Sequence, residues 1–522
     1  MKKTFLYLIG RHQRAFLIAL LWGVGYALVM TLINPLAIKL LFDEAVIKKN
    51  FEVFVWVAVG SLVLFTGLRY IDYAYRLYKQ RLSNRMLLDL ALKVTRLYFR
   101  VPYQRIQEKG EGYFVSRTYD EVQSSVQPSL DTVLGLFRSS ATLIGGMVTI
   151  MLISWKLTLI MLAITPFMLL MSRRYAGKIH QNTRAEQEKS ADLREVNTSL
   201  LQAYKTVRMF RLAPLALGQY QSRFDQYLRA NYTRIQNMSL YSTLSGLFLS
   251  IMEMLVILAG GYSIMTSSLT FGGLMAFMNA YWLAVNALQS LIDSIPRISI
   301  IQATVERLQE FEQQAEPETA PSSGVQDIDL NGVQFAYGQQ VVLRDVNLHI
   351  PPGQRILIEG PNGAGKSTLA HLLSGLLKPL VGTISLPDEI SALVEPVHFP
   401  TLTLRELFSV YPEHLTAPLI EKLGLNPLLE QTYTELSLGQ KKKVNVLMCV
   451  LKEADCYILD EPLANVDQQT QPELLEAILE YTSGKTLLVI LHGAGPLRSH
   501  FDAIMQVQGR VTLSPASPPV AL

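Results

Sequence analysis

The sequence predicts an all-α six-helix transmembrane domain followed by an α/β P-loop domain with a small helical subdomain. Three observations predict it: six apolar stretches of membrane-spanning length before residue 295, a polar Pro-containing break near residue 314, and a glycine-rich motif set between a strand and a helix beyond that break. At 522 residues and 49% apolar side chains, the chain is too long for one domain and too apolar for an ordinary soluble fold.

A helix crosses the hydrocarbon core with roughly 20 apolar residues. Such stretches lie near residues 15–42, 52–75, 130–153, 157–176, 240–265 and 271–295. Long links follow the second and fourth, whereas the other links are only a few residues long. Between Arg76 and Arg117 the first long link carries ten Lys and Arg against three acids, Asp89, Glu108 and Glu111. Positive charge marks cytoplasmic loops, so both long links and both termini are expected inside, with small outer loops such as that around Lys48 and Lys49. The N-terminal segment has the basic head of a signal peptide. Arg11 and Arg14 interrupt its apolar run, so it is expected to lead into a retained helix.

Both long links are rich in helix formers and read as helices continuing into water. They are interrupted at Gly110-Glu111-Gly112-Tyr113-Phe114 and again near residues 203–212, ahead of Pro214. The expected domains are 1–312 in the membrane with helical extensions, a linker at 313–325, and a second domain at 326–522. The halves differ in charge: residues 1–312 hold 34 Lys and Arg against 20 acids, and residues 313–522 hold 13 against 23. That asymmetry suits a membrane part beside a soluble part, and no basic cluster with interleaved aromatics points to nucleic acid. The cysteines, Cys449 and Cys456, exclude a disulfide framework and have no partners at metal-ligand spacing.

In the second domain, β-rich runs at 355–358, 383–386, 457–459 and 486–491 alternate with helical stretches, as around a largely parallel sheet. The first run leads into Gly360-Pro361-Asn362-Gly363-Ala364-Gly365-Lys366-Ser367, with Thr368 continuing the helix that follows. In that strand-loop-helix setting the glycines let backbone N–H groups cradle phosphates, Lys366 reaches the outer phosphates, and Ser367 can ligate Mg²⁺. The run at 457–459 ends in Asp460 and Glu461. A buried strand delivering two acids to the sheet edge suits a Mg²⁺-side carboxylate, Asp460, and a general base that orients water, Glu461.

Between these motifs stands Leu436-Ser437-Leu438-Gly439-Gln440, and here the chain resembles the ABC ATPase family, whose signature is LSGGQ. The resemblance implies ATP and Mg²⁺ as cofactors and catalytic roles for Lys366, Glu461 and His492, the last as the switch histidine. It further implies that Tyr337 stacks on adenine, that Asp467 closes the loop after Glu461, and that Ser437 and Gly439, with Gln440 beside them, meet ATP bound to a partner subunit. One P-loop and one signature per chain then require a dimer, with a homodimer the simpler case. The membrane part resembles the exporter type with six helices per half, and the interruptions in its long links look like coupling helices. Where the family has a glutamine near Mg²⁺, Glu395 stands, and it joins Ser367 and Asp460 as an expected metal residue.

The resemblance implies a cell-membrane ATPase that exports an amphipathic solute, a peptide or lipid-like molecule. The LSLGQKK signature is similar to that of the subfamily exporting cyclic or modified peptides. An ATP-switched membrane regulator or channel is the alternative, as is an importer on the same fold. Charge at membrane depth is costly and points to function. Arg138 and Glu253 are the best placed for such a role, and if they form a buried pair single neutralisation should harm folding more than selectivity; Arg69, Asp72 and Asp293 lie nearer helix ends, where snorkelling accounts for them. Asn279, Tyr281, Trp282 and Asn286 are candidates to line a cavity.

Overall fold

The computed structural model describes residues 7–47, 50–316, 324, 326–467, 470–491 and 495–515. The chain divides into two compact units, one drawn from Met1–Ala91 and Glu121–Arg307, the other from Leu92–Asp120 and Leu308–Leu522. These units depart from the expected limits of 1–312 and 326–522 because the first long link packs with the C-terminal part. Phe114 in that link is 2% exposed, with its ring 6.1 Å from Phe311. The Glu316 amide donates to the Arg100 carbonyl at 2.9 Å, and Lys93 pairs with Glu312 at 3.0 Å.

In chain order the helices are α1 (Gln13–Val46), α2 (Phe51–Tyr98), α3 (Tyr103–Lys109), α4 (Glu111–Val115), α5 (Glu121–Ile153), α6 (Trp155–Gln202), α7 (Tyr204–Met209), α8 (Ala213–Met265) and α9 (Phe271–Gln314). Among the described residues, five segments are long and apolar enough to cross a membrane: 7–44, 51–98, 112–153, 213–265 and 271–294. The expected span 157–176 lies within α6, a 48-residue helix whose side chains at 163–176 fall outside the described residues. The breaks in the long links come at short helices where sequence analysis placed them. Gly110 turns the chain between α3 and α4 at φ +77°, and Arg211 at φ +55° precedes α8, which carries Pro214 in its first turn.

Close helix approach holds the first unit together, as small residues permit in an apolar medium. A Cβ on Gly145 of α5 would lie 2.5 Å from Thr31 Oγ1 of α1, and one on Gly146 would lie 3.1 Å from Ala284 Cβ of α9. Thr149 also donates to the Thr31 carbonyl at 3.2 Å. Replacing Gly145 by Leu is expected to cost about 1–3 kcal/mol by forcing α1 and α5 apart, read as a lowered melting temperature in detergent. Gly135→Leu, which places its Cβ in open space, serves as the control and should melt like the parent.

The second unit holds two sheets. Strands β1 (Ile328–Tyr337), β2 (Gln340–Ile350) and β4 (Val381–Ser385) form an antiparallel sheet in the order β2-β1-β4. Strands β3 (Arg355–Glu359), β5 (Ile390–Leu393), β6 (Cys456–Asp460), β7 (Thr486–Ile490), β8 (Ala503–Val507) and β9 (Val511–Pro515) form a second in the order β5-β6-β7-β3-β8-β9, parallel except for β9. The run at 383–386 thus belongs to the antiparallel sheet rather than the parallel one, its Thr383 pairing with Asn331 of β1.

Every residue of β6 and β7 is buried, as expected where helices cover both faces of a parallel sheet. The helices of this unit are α10 (Lys366–Leu373), α11 (Leu404–Phe408), α12 (Glu413–Lys422), α13 (Leu438–Leu451) and α14 (Thr470–Tyr481). Reciprocal side-chain and backbone bonds cap α11 through Thr403 and Glu406, and α13 through Ser437 and Gln440. The capping bonds to Thr403 hold the Glu406 carboxyl below its ordinary range. Leu404, Leu407, Leu419, Val444 and Leu447 fill the core of this small helical region.

Candidate functional site

Parallel pairing sets the C-terminal ends of β3, β6 and β7 side by side, the place where open α/β sheets bind ligands. Asp460 pairs in register with Ile490, and Ile490 with Ile358, two residues before Gly360. Beyond β3 the loop runs through exposed Pro361, Asn362 and Gly363 and half-buried Ala364 to buried Gly365, Lys366 and Thr368. Gly365 caps α10 at φ +99°, a conformation that favours glycine. A Cβ on Gly360 would meet the Val507 carbonyl oxygen at 2.2 Å, so only hydrogen fits there.

Lys366, 7% exposed, folds back and donates from Nζ to the carbonyls of Gly360 at 2.9 Å and Pro361 at 3.1 Å. Its ammonium lies across the mouth of the loop, where an anion would draw it outward. Asp460 is 6% exposed and hydrogen-bonded with the Ser367 side chain. Burial pushes its carboxyl upward, and the Ser367 bond opposes that rise. A hydroxyl and a carboxylate held together beside a phosphate cradle suit Mg²⁺, whose hard charge selects oxygen donors. Glu461 follows at φ +49°, its amide donating to the Ile490 carbonyl at 3.0 Å. This left-handed backbone turns the chain immediately after the buried strand.

The remaining expected residues lie farther along the unit. Tyr337 ends β1, is 44% exposed, and has one ring edge against Phe335 at 5.0 Å. Ser437 caps α13 by accepting from the Gln440 amide, while the Gln440 side chain accepts from the Ser437 amide at 2.9 Å. Leu438 is 70% exposed, and a Cβ on Gly439 would come within 3.2 Å of the Asn465 carbonyl. Asp467 accepts from the Thr470 amide at 2.9 Å and so caps α14. His492 lies outside the described residues.

Glu395, expected beside a metal, has protein partners in the structure. Its Oε1 accepts from Lys442 Nζ at 3.0 Å, and its Oε2 accepts from the Val397 amide at 3.3 Å. The side chain of Lys442, on α13, is 9% exposed. Sequence analysis gave Lys442 no role. The helical period, which turns only one of three neighbours inward, was the available signal.

Two other partners were missed. Arg498 clasps Glu359, the residue before the P-loop, at 2.7 and 3.1 Å. The Tyr103 ring of α3 stacks on His371 of α10 at 5.7 Å and an interplanar angle of 6°, and His371 Nδ1 lies 2.6 Å from the Ser367 carbonyl.

In the first unit a pair of Arg138 and Glu253 is not formed. Arg138 reaches Asp72 at 3.4 Å, and Arg76 reaches the same carboxylate at 2.7 Å. Asp72 is therefore a buried acid, its side chain 7% exposed, rather than a snorkelling one. The Arg138 guanidinium also lies 5.2 Å from the Tyr26 ring centroid and 6.0 Å from that of Tyr75. Glu253 instead accepts from Trp282 Nε1 at 3.4 Å. Tyr281 is packed at 1% exposure, Asn286 is exposed, and Asn279 Oδ1 is buried without a hydrogen-bond partner among the described residues.

A six-helix apolar unit joined to a P-loop unit with a signature motif defines an ATP-driven membrane transporter. The ABC transporter transmembrane region family matches residues 15–287 and the ABC transporter family matches residues 343–464. The chain belongs to the ABC transporter family, as a half-size, multi-pass membrane exporter that binds and hydrolyses ATP.

Among similar proteins, the "Mitochondrial potassium channel ATP-binding subunit" of Rattus norvegicus is 24% identical over 98% of this chain and 78% of its own length. The "ATP-dependent lipid A-core flippase" of Coxiella burnetii is 22% identical over 87% of this chain and 83% of its own. The flippase of the same name from Pseudomonas fluorescens is 24% identical over 81% and 76%.

Proposed function

We propose that two copies of this chain form a homodimer in the cell membrane, with the P-loop units in the cytoplasm, and export an anionic amphipathic solute of peptide or lipid-like character. The observation that carries a dimer is the single signature, exposed at Ser437 and Leu438 at the start of α13, and a second copy of the same chain is the simpler partner. Left with no nucleotide of its own to face, it needs the ATP of a second P-loop.

When bound, Mg²⁺ neutralises phosphate charge as the terminal phosphoryl group departs. Ser367 and Asp460 are the side chains that would hold it. Lys366 exchanges the carbonyls of Gly360 and Pro361 for phosphate oxygens. Glu461 orients the attacking water and takes its proton, with His492 as the switch histidine that the family resemblance implies. Tyr337 offers its exposed ring to adenine, while Ser437 and Gly439 reach the phosphates held by the partner subunit. The stack of Tyr103 on His371 supports a coupling role for α3, because it joins that helix to the one beginning at Lys366.

Two features support an anionic amphiphile. Arg138 is 38% exposed, and Asp72 offers one carboxylate against two guanidinium groups. The flippase relatives carry a lipid in their name. The LSLGQKK signature keeps a peptide within the same chemistry.

A channel subunit gated by ATP is the second reading, favoured by the name of the Rattus norvegicus relative. Reconstitution in liposomes with a panel of acidic lipids, peptides and uncharged drugs distinguishes them. Acidic amphiphiles should stimulate ATP hydrolysis severalfold, and Arg138→Gln should abolish most of that stimulation. Absence of stimulation by every compound, together with ATP-gated K⁺ flux, would establish the channel reading in place of export.

A further inference from the structure

We propose that Glu395 and Lys442 act as a positioning pair that ties the loop after β5 to the signature helix α13 and sets the net charge beside Asp460. This inference rests on the hydrolytic reading of the site, and it withdraws Glu395 from the metal ligands.

Three observations join here. Lys442 is buried, and a buried ammonium needs a partner. Glu395 supplies that partner at 3.0 Å, its second oxygen accepting from Val397 so that the carboxylate is held on both sides. The same ammonium also exerts a Coulombic attraction on the Asp460 carboxylate. One cation thus pairs with the loop's carboxylate and acts through its charge on that of β6.

Around it the loop and α13 are joined a second time. Phe399 meets Tyr433 edge to face at 4.8 Å, and the Lys441 ammonium lies over the same Tyr433 ring at 5.5 Å. A movement of the signature helix is therefore transmitted to the loop through charge as well as packing.

The charge arithmetic gives opposite signs to the two single changes. Glu395→Gln leaves Lys442 with Asp460 as its remaining counter-charge, so the lysine competes with Mg²⁺ for that carboxylate. Lys442→Gln leaves Glu395 as an uncompensated negative charge near the metal. The double variant is neutral at both positions and restores the local sum.

The test measures the Mg²⁺ concentration giving half-maximal ATP hydrolysis by the full-length protein in lipid, together with thermal unfolding without nucleotide or metal. The expected results are a rise on the order of tenfold for Glu395→Gln, a fall of several-fold for Lys442→Gln, and a value near the parent for the double variant. Without nucleotide, each single variant should melt lower than the parent and the double variant should recover much of the loss.

A raised Mg²⁺ requirement persisting in the double variant, with Lys442→Gln unchanged, would make Glu395 a metal ligand and overturn the pair. Additive melting losses with no recovery would also overturn it. If the parent itself fails to hydrolyse ATP, the hydrolytic reading is at fault, and the unfolding cycle still decides whether the pair exists.

Discussion

Replacing Glu461 by Gln is expected to lower ATP hydrolysis between about a hundredfold and ten-thousandfold while leaving ATP binding intact. Glutamine keeps the volume and one hydrogen-bonding oxygen of the side chain but cannot take a proton from water. The backbone that places it, at φ +49° with its amide bonded to Ile490, does not depend on the carboxylate. The variant should therefore accumulate as ATP-bound dimers, visible by size-exclusion chromatography in detergent with radiolabelled nucleotide. Hydrolysis at the parent rate would remove Glu461 from the role of base. Dimers that form equally well without ATP would separate assembly from the exposed signature at Ser437.

The second large effect is expected at Asp72. Removing one partner of a fully buried ion pair costs roughly 3–5 kcal/mol, mostly because the other charge is left uncompensated. Here Arg138 is 38% exposed and Arg76 is 68% exposed, so much of their charge remains solvated and the expected loss falls to about 2 kcal/mol. Asp72→Asn should lower the melting temperature and the yield from membranes. The double variant Asp72→Asn, Arg138→Gln should recover part of the loss, since it deletes the acid together with one of its two cations. Glu253→Gln should have a smaller effect than Asp72→Asn, because its partner in the structure is the neutral Trp282. A larger loss at Glu253 than at Asp72 would contradict the pairing described here.

Much of the nucleotide site was legible in the sequence because its chemistry is local. Residues 360–368 are consecutive, their glycines are required by the backbone, and their lysine and serine follow directly on the helix. The same holds for Asp460 and Glu461 at the end of an apolar strand. Helix number was legible for a related reason: a bilayer asks for length and apolarity, both countable along the chain.

What escaped was set by distance in sequence. Asp72 and Arg138 are 66 residues apart and Glu395 and Lys442 are 47 apart. Nothing in the spacing of Arg138 distinguishes Asp72 from Glu253 as its partner.

The sequence by itself determined the order of membrane region and P-loop domain and the local strand-loop-helix setting of residues 355–368. Tertiary structure decided that residues 92–120 pack with the second unit, that β4 joins an antiparallel sheet, that Arg138 turns to Asp72, and that Lys442 claims Glu395. Backbone pairing with β1 places β4, and the other three share one physical reason. Burial of a charge or an apolar ring selects among partners that composition leaves equivalent, and only the folded chain brings those partners within reach.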